Sequence, residues 1–276
     1  MIDTCPYPAI FEPQVTPRAS GQPPALAPYS IETPFDDAAR PSPQSRCYQP
    51  GEHYRFDMVL MTPIAIQQLP LIIASWERAF SYGVGPLSGT AKLTRVEQCQ
   101  ANGSADILYS TEKPQLQRHN TELSVPRLTL PMDIQLHLKT PLRLQQKGRL
   151  VSAKDLTPGL FLRNLIRRVS FHVCTQQPDA YTLADIHQLN TLADQVQEGE
   201  RELTWSDWQR YSSRQKQKMT LGGLIGHWQL LHVPPALLHL IYLGQWLHIG
   251  KEATFGLGHY VMIPSSELEY FDKRQA

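Results

Sequence analysis

The stretch His248-Ile-Gly-Lys-Glu-Ala-Thr-Phe-Gly-Leu-Gly-His-Tyr-Val-Met262 joins an apolar helix-like run, which ends near Leu247, to a short strand-like run. It contains three glycines, Gly250, Gly256 and Gly258. Glycine adopts positive φ and lets a backbone approach a ligand closely, so such a loop can present N–H groups to phosphate oxygens. A bulge or a tight turn before a strand also uses glycine. The stretch predicts a helix, a glycine-rich loop and a strand, with phosphate binding as one of two interpretations.

Upstream of this stretch, hydrophobic periodicity predicts a β-α-β-β-α-β order with one inserted helix. This is the element order of a ferredoxin-like domain. The predicted elements are a strand at Ile134–Leu144, helices at Pro158–Cys174 and Leu183–Val196, paired strands at Leu203–Ser212 and Met219–Leu231, a helix at Pro234–Leu247 and a strand at His259–Ile263.

The first half of the chain predicts the start of a second such unit. Eleven prolines before residue 51 predict an arm with little regular secondary structure. The predicted class is therefore α+β, with tandem ferredoxin-like (RRM-like) domains and a C-terminal glycine-rich loop: an arm at 1–50, a first domain at 51–126 and a second at 127–276. The elements predicted in the first domain are a strand at Tyr54–Met61, a helix at Ile64–Tyr82 ended by Gly83, and strands at Thr90–Gln100 and Ala105–Ser110 that turn at Asn102-Gly103.

Charge is unevenly distributed along the chain. The net charge is only +1, but residues 1–126 carry −3 and residues 127–276 carry +4. Lys139–His172 contains eight basic residues and one acidic residue, and Trp208–Lys251 contains five basic residues and no acidic one. A basic face of this kind is typical of a protein that binds a phosphate backbone, although a solvated helix face has the same composition.

Other function classes find little support in the sequence. The four cysteines are far apart and include no Cys-x-x-Cys pair, so we predict free thiols in a reducing cytoplasm. No apolar run is long enough to span a membrane. The sequence lacks a His-x-x-x-His pair with a carboxylate partner, a Walker loop, a Gly-x-Ser-x-Gly elbow and a dinucleotide fingerprint. We therefore predict no metal site and no cofactor.

The C-terminal motif His-Ile-Gly-Lys-x-x-Thr-Phe-Gly-Leu-Gly-x-Tyr, at 248–260, resembles the glycine-rich signature of the CRISPR repeat-processing endoribonucleases of the RAMP superfamily. The resemblance extends to Arg210–Arg214 and Leu221–Gly226, and more weakly to Leu156–Arg168 and to Gly83-Val-Gly85 with Gly89. It implies tandem ferredoxin-like domains. It also implies metal-independent cleavage of CRISPR precursor RNA within its repeats by 2′-OH attack, which leaves a 2′,3′-cyclic phosphate and produces guide RNAs.

This cleavage needs a base for the 2′-OH, an acid for the leaving 5′-oxygen and cations for the phosphorane charge. The family commonly carries its histidine on or near the first helix of the first domain, but Ile64–Tyr82 contains none. His248, at the junction of the last helix and the loop, is the first candidate for proton transfer. His259 and Lys251 are further candidates, as is Tyr82 with help from Arg78 or Lys92.

RNA binding is assigned to the basic second half and the loop. Arginine bridges phosphates or stacks under bases, and tyrosine also stacks. An edge strand protected by arginines, with a core tyrosine, is the structural alternative for the Arg210–Arg214 segment. The predicted RNA-binding residues are Arg163, Arg167, Arg168, Arg210, Tyr211, Arg214, Lys216, Lys218, Gly250, Lys251, Thr254, Gly256 and Gly258.

Two further functions remain open at the level of the sequence. One is a catalytically inactive RAMP-type subunit that binds RNA in a CRISPR effector complex, and the other is a ferredoxin-like protein unrelated to RNA. The predicted partners are CRISPR repeat RNA or the mature guide RNA and, in the first alternative, other effector subunits. We expect a cytoplasmic monomer or homodimer without a membrane partner.

Overall fold

A computed structural model describes residues 10, 27–32, 48–85, 88–100, 103–119, 127, 132–177, 179–207, 209–212 and 217–264, with backbone only for 209–212 and 217–219. The described residues form two compact units. The first unit contains the described residues before 29 and those from 60 to 125. The second unit contains the described residues from 29 to 59 and those after 125. The segment 29–59 therefore groups with the second unit, whereas the sequence analysis divides it between the arm and the first domain.

The first described strands come from the N-terminal part of the chain. Strand β1, Tyr29–Glu32, pairs with strand β2, Asp57–Leu60. The prediction of little regular structure before residue 51 is wrong for Tyr29–Glu32, because pairing with another strand satisfies its backbone groups in spite of the nearby prolines. The predicted strand Tyr54–Met61 is shorter in the structure. The apolar segment Cys5–Pro13 lies outside the described residues except for Ile10.

In the first unit, the predicted helix Ile64–Tyr82 is two helices, α1 (Pro63–Gln67) and α2 (Leu69–Tyr82). The break lies next to Pro70, which has no N–H to continue the ladder and whose ring crowds the preceding turn. Gly83 ends α2 with φ of 101°, as predicted. Ile72, Ile73 and Phe80 form the buried stripe of α2.

A hairpin completes the described part of the first unit. Strands β3 (Arg95–Cys99) and β4 (Ala105–Ser110) are antiparallel. The hairpin confirms the predicted pairing, with a shorter first strand. Gly103 has φ of 83°, while Asn102 lies outside the described residues.

The second unit contains a four-stranded antiparallel sheet with the strand order β12-β5-β11-β8. The β-α-β-β-α-β prediction is confirmed for this unit. Its elements are β5 (Met132–Leu142), β6 (Gln145–Gln146), β7 (Arg149–Leu150), α3 (Pro158–Gln176), the inserted α4 (Leu183–Ala193), β8 (Gln197–Ser206), β9 (Gln209–Ser212), β10 (Gln217–Thr220), β11 (Gly223–Val233), α5 (Pro235–Leu247) and β12 (Tyr260–Pro264).

The two predicted strands at Leu203–Ser212 and Met219–Leu231 are each divided. The central part of this hairpin is the pair β8–β11, and the outer part is the separate pair β9–β10. Gly222 lies directly before β11, where an added Cβ would come within 2.6 Å of the Trp205 ring nitrogen. The outer hairpin contains Arg210, Tyr211 and Lys218 of the predicted basic segment.

The core of the second unit lies between its sheet and the helices α3 and α5. Ile134, Leu136 and Leu138 alternate along β5 and are at most 1% exposed, as the pattern predicts. Phe161 packs edge-on against Trp228 and Tyr260, with ring centroids 5.6 Å apart in both pairs. The inward stripe predicted for α3 is also buried and consists of Leu162, Leu165, Ile166 and Val169.

Among the described helices, none combines the length and the apolar character that a membrane span requires. Cys99 is exposed and Cys174 is half-buried, while Cys5 and Cys47 lie outside the described residues.

Candidate active site of the second unit

The segment that connects α5 to β12 folds back against β5. Gly258 has φ of 74° and donates its N–H to the Pro141 carbonyl at 3.1 Å. A Cβ at Gly258 would lie 1.8 Å from the Ile249 carbonyl oxygen, and one at Gly256 would lie 2.6 Å from that of Ile31. Close approach of the protein's own backbone therefore explains these two glycines, and their contact with RNA stays a prediction.

Thr140 of β5 fixes the end of this segment. Its hydroxyl donates to the Gly256 carbonyl at 2.7 Å and accepts the His259 N–H at 2.9 Å. The Lys251 N–H donates to the Arg143 carbonyl at 2.9 Å. These bonds hold the backbone of His259 in place, while the Lys251 side chain is exposed.

Strand β1 brings a carboxylate to two histidines. Glu32 Oε1 lies 2.6 Å from His248 Nε2, and Glu32 Oε2 lies 3.5 Å from His259 Nδ1. The two imidazole rings are stacked, with centroids 5.1 Å apart and planes 7° apart. The Ser30 hydroxyl lies 3.4 Å from the same nitrogen of His248. We call Glu32, His248 and His259 the histidine–glutamate cluster.

The three members of the cluster differ in exposure. The side chain of His248 is 0% exposed, that of Glu32 17% and that of His259 27%. His248 ends α5, donating its N–H to the Gly244 carbonyl with φ of 56°. His259, rather than the first candidate His248, is the histidine of the cluster that solvent reaches.

Electrostatics keep the central carboxylate charged. Burial alone would raise the pKa of Glu32, but the hydrogen bond from His248 and the positive charges of His259 and His248 lower it overall. Burial lowers the pKa of His259, as do His248 and Lys139, while Glu32 and Asp57 act in the opposite direction. Glu32 is thus the hydrogen-bond partner of His248 and lies within ion-pair distance of His259.

A second pair of histidines lies on the sheet face opposite the helices. His137 of β5 stacks on His227 of β11, with ring centroids 4.1 Å apart. His137 is only 7% exposed. Burial, together with the charges of Lys139, His227 and His259, lowers the pKa of His137 to about 4.

The alternative catalytic residue Tyr82 lies in the first unit, at the end of α2. It is 73% exposed, and Arg78 donates to its hydroxyl at 3.3 Å and lies 5.5 Å from its ring centroid. Lys92 is also exposed. The structure therefore brings Tyr82 and Arg78 together, as the sequence analysis suggests, and their catalytic role stays a prediction.

The three arginines of α3 have different environments. Arg168 donates from Nε and Nη2 to the Leu247 carbonyl, at 3.0 and 2.8 Å, and burial lowers its pKa to about 10. It therefore stabilises the end of α5, and its predicted contact with RNA stays a prediction. Arg163 is exposed and paired with Asp194, and Arg167 is exposed.

The basic track of the outer hairpin is only partly described. Tyr211 of β9 is the register partner of Lys218 of β10, and Arg210 is the partner of Met219. Arg214 and Lys216 lie outside the described residues. The exposed Lys251 and the half-buried Thr254 lie instead in the segment after α5.

Sequence reasoning missed Glu32 and Thr140. Glu32 belongs to a proline-rich segment without a motif and lies 216 positions from His248. Thr140 reads as an ordinary strand residue, although its hydroxyl is buried between two loop groups. No local pattern marks either residue, because each acts on partners more than 100 positions away.

Two family models match separate parts of the chain. The family model described as CRISPR-associated endoribonuclease Cas6 matches residues 136–260, and an N-terminal domain model, AF_1859_N, matches residues 1–121. The match of 136–260 includes His248, His259 and the C-terminal motif, so the predicted resemblance is confirmed. None of the curated proteins is similar enough to match the chain.

Solved Cas6 structures have a similar fold. A product complex of Thermus thermophilus Cas6 is 16% identical, with a TM-score of 0.55 over 86% of this chain and 81% of that one. Another Cas6 product complex is 16% identical, with a TM-score of 0.46 over 91% and 87%. A chain of a partial Cas6-RT-Cas1–Cas2 complex is 19% identical, with a TM-score of 0.49. That match covers 86% of this chain but only 39% of the chain in the complex. The α+β class with tandem ferredoxin-like folds is confirmed.

Proposed function

Since residues 136–260 carry the domain of the CRISPR-associated endoribonuclease Cas6 family, we propose that this chain cleaves CRISPR precursor RNA within its repeats to produce guide RNAs. The reaction needs no metal ion. The ribose 2′-oxygen attacks the adjacent phosphorus, the bond to the 5′-oxygen breaks, and the products carry a 2′,3′-cyclic phosphate and a 5′-hydroxyl.

The observation that supports this chemistry is the carboxylate–imidazole pair at the edge of the histidine–glutamate cluster. Glu32 faces Nδ1 of His259 at 3.5 Å, so Nε2 is the nitrogen that remains for proton transfer with RNA. A carboxylate behind an imidazole fixes its tautomer and its orientation. We assign proton transfer to His259 and the positioning of its ring to Glu32.

His248 acts from the interior in this proposal. Its Nε2 lies 2.6 Å from the other oxygen of Glu32, and the buried ring stacks on that of His259. The buried imidazole therefore orients the carboxylate, and it does not contact RNA. Lys251 supplies an exposed positive charge in the same segment for the phosphate.

RNA binding extends over the basic surface of the second half. The exposed Arg167 and the outer hairpin with Arg210, Tyr211 and Lys218 would hold the repeat, together with Arg214 and Lys216. Arg163, Thr254 and the loop glycines complete the proposed surface. Arg168 supports the fold beneath it.

The test is cleavage of the repeat RNA from the neighbouring CRISPR array in EDTA, read on a denaturing gel. His259→Ala should lower the single-turnover rate by about 10²- to 10⁴-fold and leave RNA affinity within a few-fold. His187→Ala, which changes an exposed histidine of α4, is the matched control and should cleave normally. A 2′-deoxy substitution at the cleavage position should abolish cleavage by the wild-type chain.

Each contrary result has a definite meaning. Full activity of His259→Ala would move the proton transfer to another group, and Tyr82→Phe would be the next variant. Cleavage of the 2′-deoxy substrate would contradict the 2′-OH mechanism. Tight, salt-sensitive binding without any cleavage by the wild type would instead favour the inactive RNA-binding subunit.

A further inference from the structure

The histidine–glutamate cluster has the composition of a transition-metal site. Two imidazole nitrogens and a carboxylate oxygen form the ligand set that zinc often uses when a fourth position stays open. The three ligand atoms all lie within 4.8 Å of one another. From this geometry we propose that Glu32, His248 and His259 bind one divalent transition-metal ion of the zinc type, and that the bound ion inhibits RNA cleavage.

The distances fit such an ion after small side-chain movements. Tetrahedral coordination at about 2.0–2.1 Å places ligand atoms roughly 3.3 Å apart. Oε1 of Glu32 lies 2.6 Å from His248 Nε2 and Oε2 lies 3.5 Å from His259 Nδ1, so the carboxylate has to turn for one of its oxygens to share an ion with both nitrogens. An ion between them would replace the direct contact of Glu32 with His248.

The surroundings favour one ion at a defined place. The His259 backbone is held by Thr140 at 2.9 Å, and His248 is fixed at the end of α5. The 27% exposure of the His259 side chain leaves a path from solvent and a side on which water can be the fourth ligand. Nitrogen and carboxylate donors bind zinc, nickel, cobalt and copper ions more tightly than magnesium or calcium.

The inhibitory part of this inference rests on the proposed function of His259. An ion on Nδ1 leaves the proton of the neutral imidazole on Nε2, the nitrogen that would face RNA. The ring can then no longer accept a proton there, and Glu32 is bound to the ion. The same ion would join β1 to the segment after α5 and so raise the melting temperature.

The first experiment needs no RNA. The full chain, stripped with EDTA and then freed of it, is titrated with zinc chloride by calorimetry, and cobalt(II) binding is followed by visible absorption. We expect one ion per chain and the spectrum of tetrahedral cobalt. Glu32→Gln and His259→Gln should each lower zinc affinity at least about tenfold and lose that spectrum.

Matched controls are Glu200→Gln and His187→Gln, which change exposed residues outside the cluster and should bind zinc like the wild type. Circular dichroism confirms that each variant folds. The metal site is overturned if Glu32→Gln and His259→Gln bind zinc with unchanged affinity, or if the wild type binds none.

The second experiment adds zinc to the cleavage reaction. The wild type should lose activity at zinc concentrations that saturate the calorimetric site and regain it with EDTA. Cleavage that persists at saturating zinc overturns the inhibitory part. If the wild type never cleaves repeat RNA, the proposed function fails, while the calorimetric result still decides the metal site.

Discussion

Strand β5 and the histidine–glutamate cluster bring side chains together in two different ways. In β5, Ile134, Leu136 and Leu138 lie two positions apart, and one buried face follows directly from that spacing. In the cluster, Glu32 meets His248 across 216 positions. The buried face of the sheet follows from a periodic sequence pattern, whereas the residues of the cluster come together only when the whole second unit has folded. Substitutions can separate these two kinds of dependence.

The largest expected effect is that of Trp228→Ala in the core that β5 helps to form. Trp228 is 0% exposed and packs on Phe161, so its removal should lower the free energy of unfolding by about 3–5 kcal/mol. Chemical denaturation followed by circular dichroism measures the loss. Trp205→Ala, at a 45% exposed position, is the control and should lose less than about 1 kcal/mol. Equal losses would contradict the packing assigned to Trp228.

Gly258→Ala should damage the cluster by way of its backbone. The positive φ costs about 1–2 kcal/mol for alanine, and the clash of the new Cβ with the Ile249 carbonyl adds to it. Cleavage should fall as well, because His259 follows directly. Gly148→Ala is the matched control, because Gly148 has φ of 81° and no atom lies within 4 Å of an added Cβ. This variant should lose only the free energy that the positive φ costs. A Gly258→Ala protein as stable and as active as Gly148→Ala would refute this account.

Neighbouring arginines of α3 provide a smaller contrast. Arg168→Met removes two hydrogen bonds to the Leu247 carbonyl and should cost about 1–3 kcal/mol of stability. Arg167→Met should change stability by less than about 0.5 kcal/mol and weaken RNA binding with a reduced salt dependence. Thermal unfolding and filter binding at several salt concentrations test the pair. If Arg167→Met lost stability and Arg168→Met only weakened RNA binding, Arg168 would not be the buried arginine of the pair.

Per pH unit, the smallest effect is a pH dependence of stability from His172, which is 6% exposed on α3. Burial, with a contribution from Arg168, lowers its pKa from 6.5 to about 3. The pKa of His172 is depressed in the folded state, so the unfolded chain takes up the proton first as the pH falls. The free energy of unfolding is therefore highest above pH 6.5 and decreases as the pH falls from 6.5 towards 3. The slope is at most about 1.4 kcal/mol per pH unit.

His172→Asn should flatten part of that pH dependence, and the exposed-site control His187→Asn should leave it unchanged. Urea titrations between pH 7 and pH 4.5 measure the difference. His137 adds a slope of the same sign, because its pKa is also lowered by burial. An unchanged slope in His172→Asn would show that its ring is solvated in the folded chain.

Much of the scaffold is predictable from local pattern. The buried stripe of α3, the strand β5 and the stop of α2 at Gly83 all follow from spacing or from a single glycine. The predicted boundaries are wrong where a proline or a contact with another part of the chain overrides the local hydrophobic pattern. Pro70 divides the predicted helix, each of the two predicted strands around the basic segment is divided into two, and pairing with β2 makes a strand of Tyr29–Glu32.

The site was predictable only in part. The C-terminal motif identifies the segment that holds His248 and His259, since both lie within a few residues of its glycines. His248 is nevertheless buried while His259 is partly exposed, because the C-terminal end of α5 faces the interior. Arg168 and Arg167 are equally basic in sequence, yet only the position of α5 decides which of them binds a carbonyl.

By itself, the sequence determined the class of fold and the element order of the second unit, because hydrophobic periods are local properties of the chain. The resemblance to the Cas6 family was carried by the C-terminal motif. Only the tertiary structure decided that Glu32 lies between two histidines, that His248 is buried and that His259 reaches solvent. Contacts between segments more than 200 positions apart leave no period in the sequence, and the free energy of the whole fold selects them.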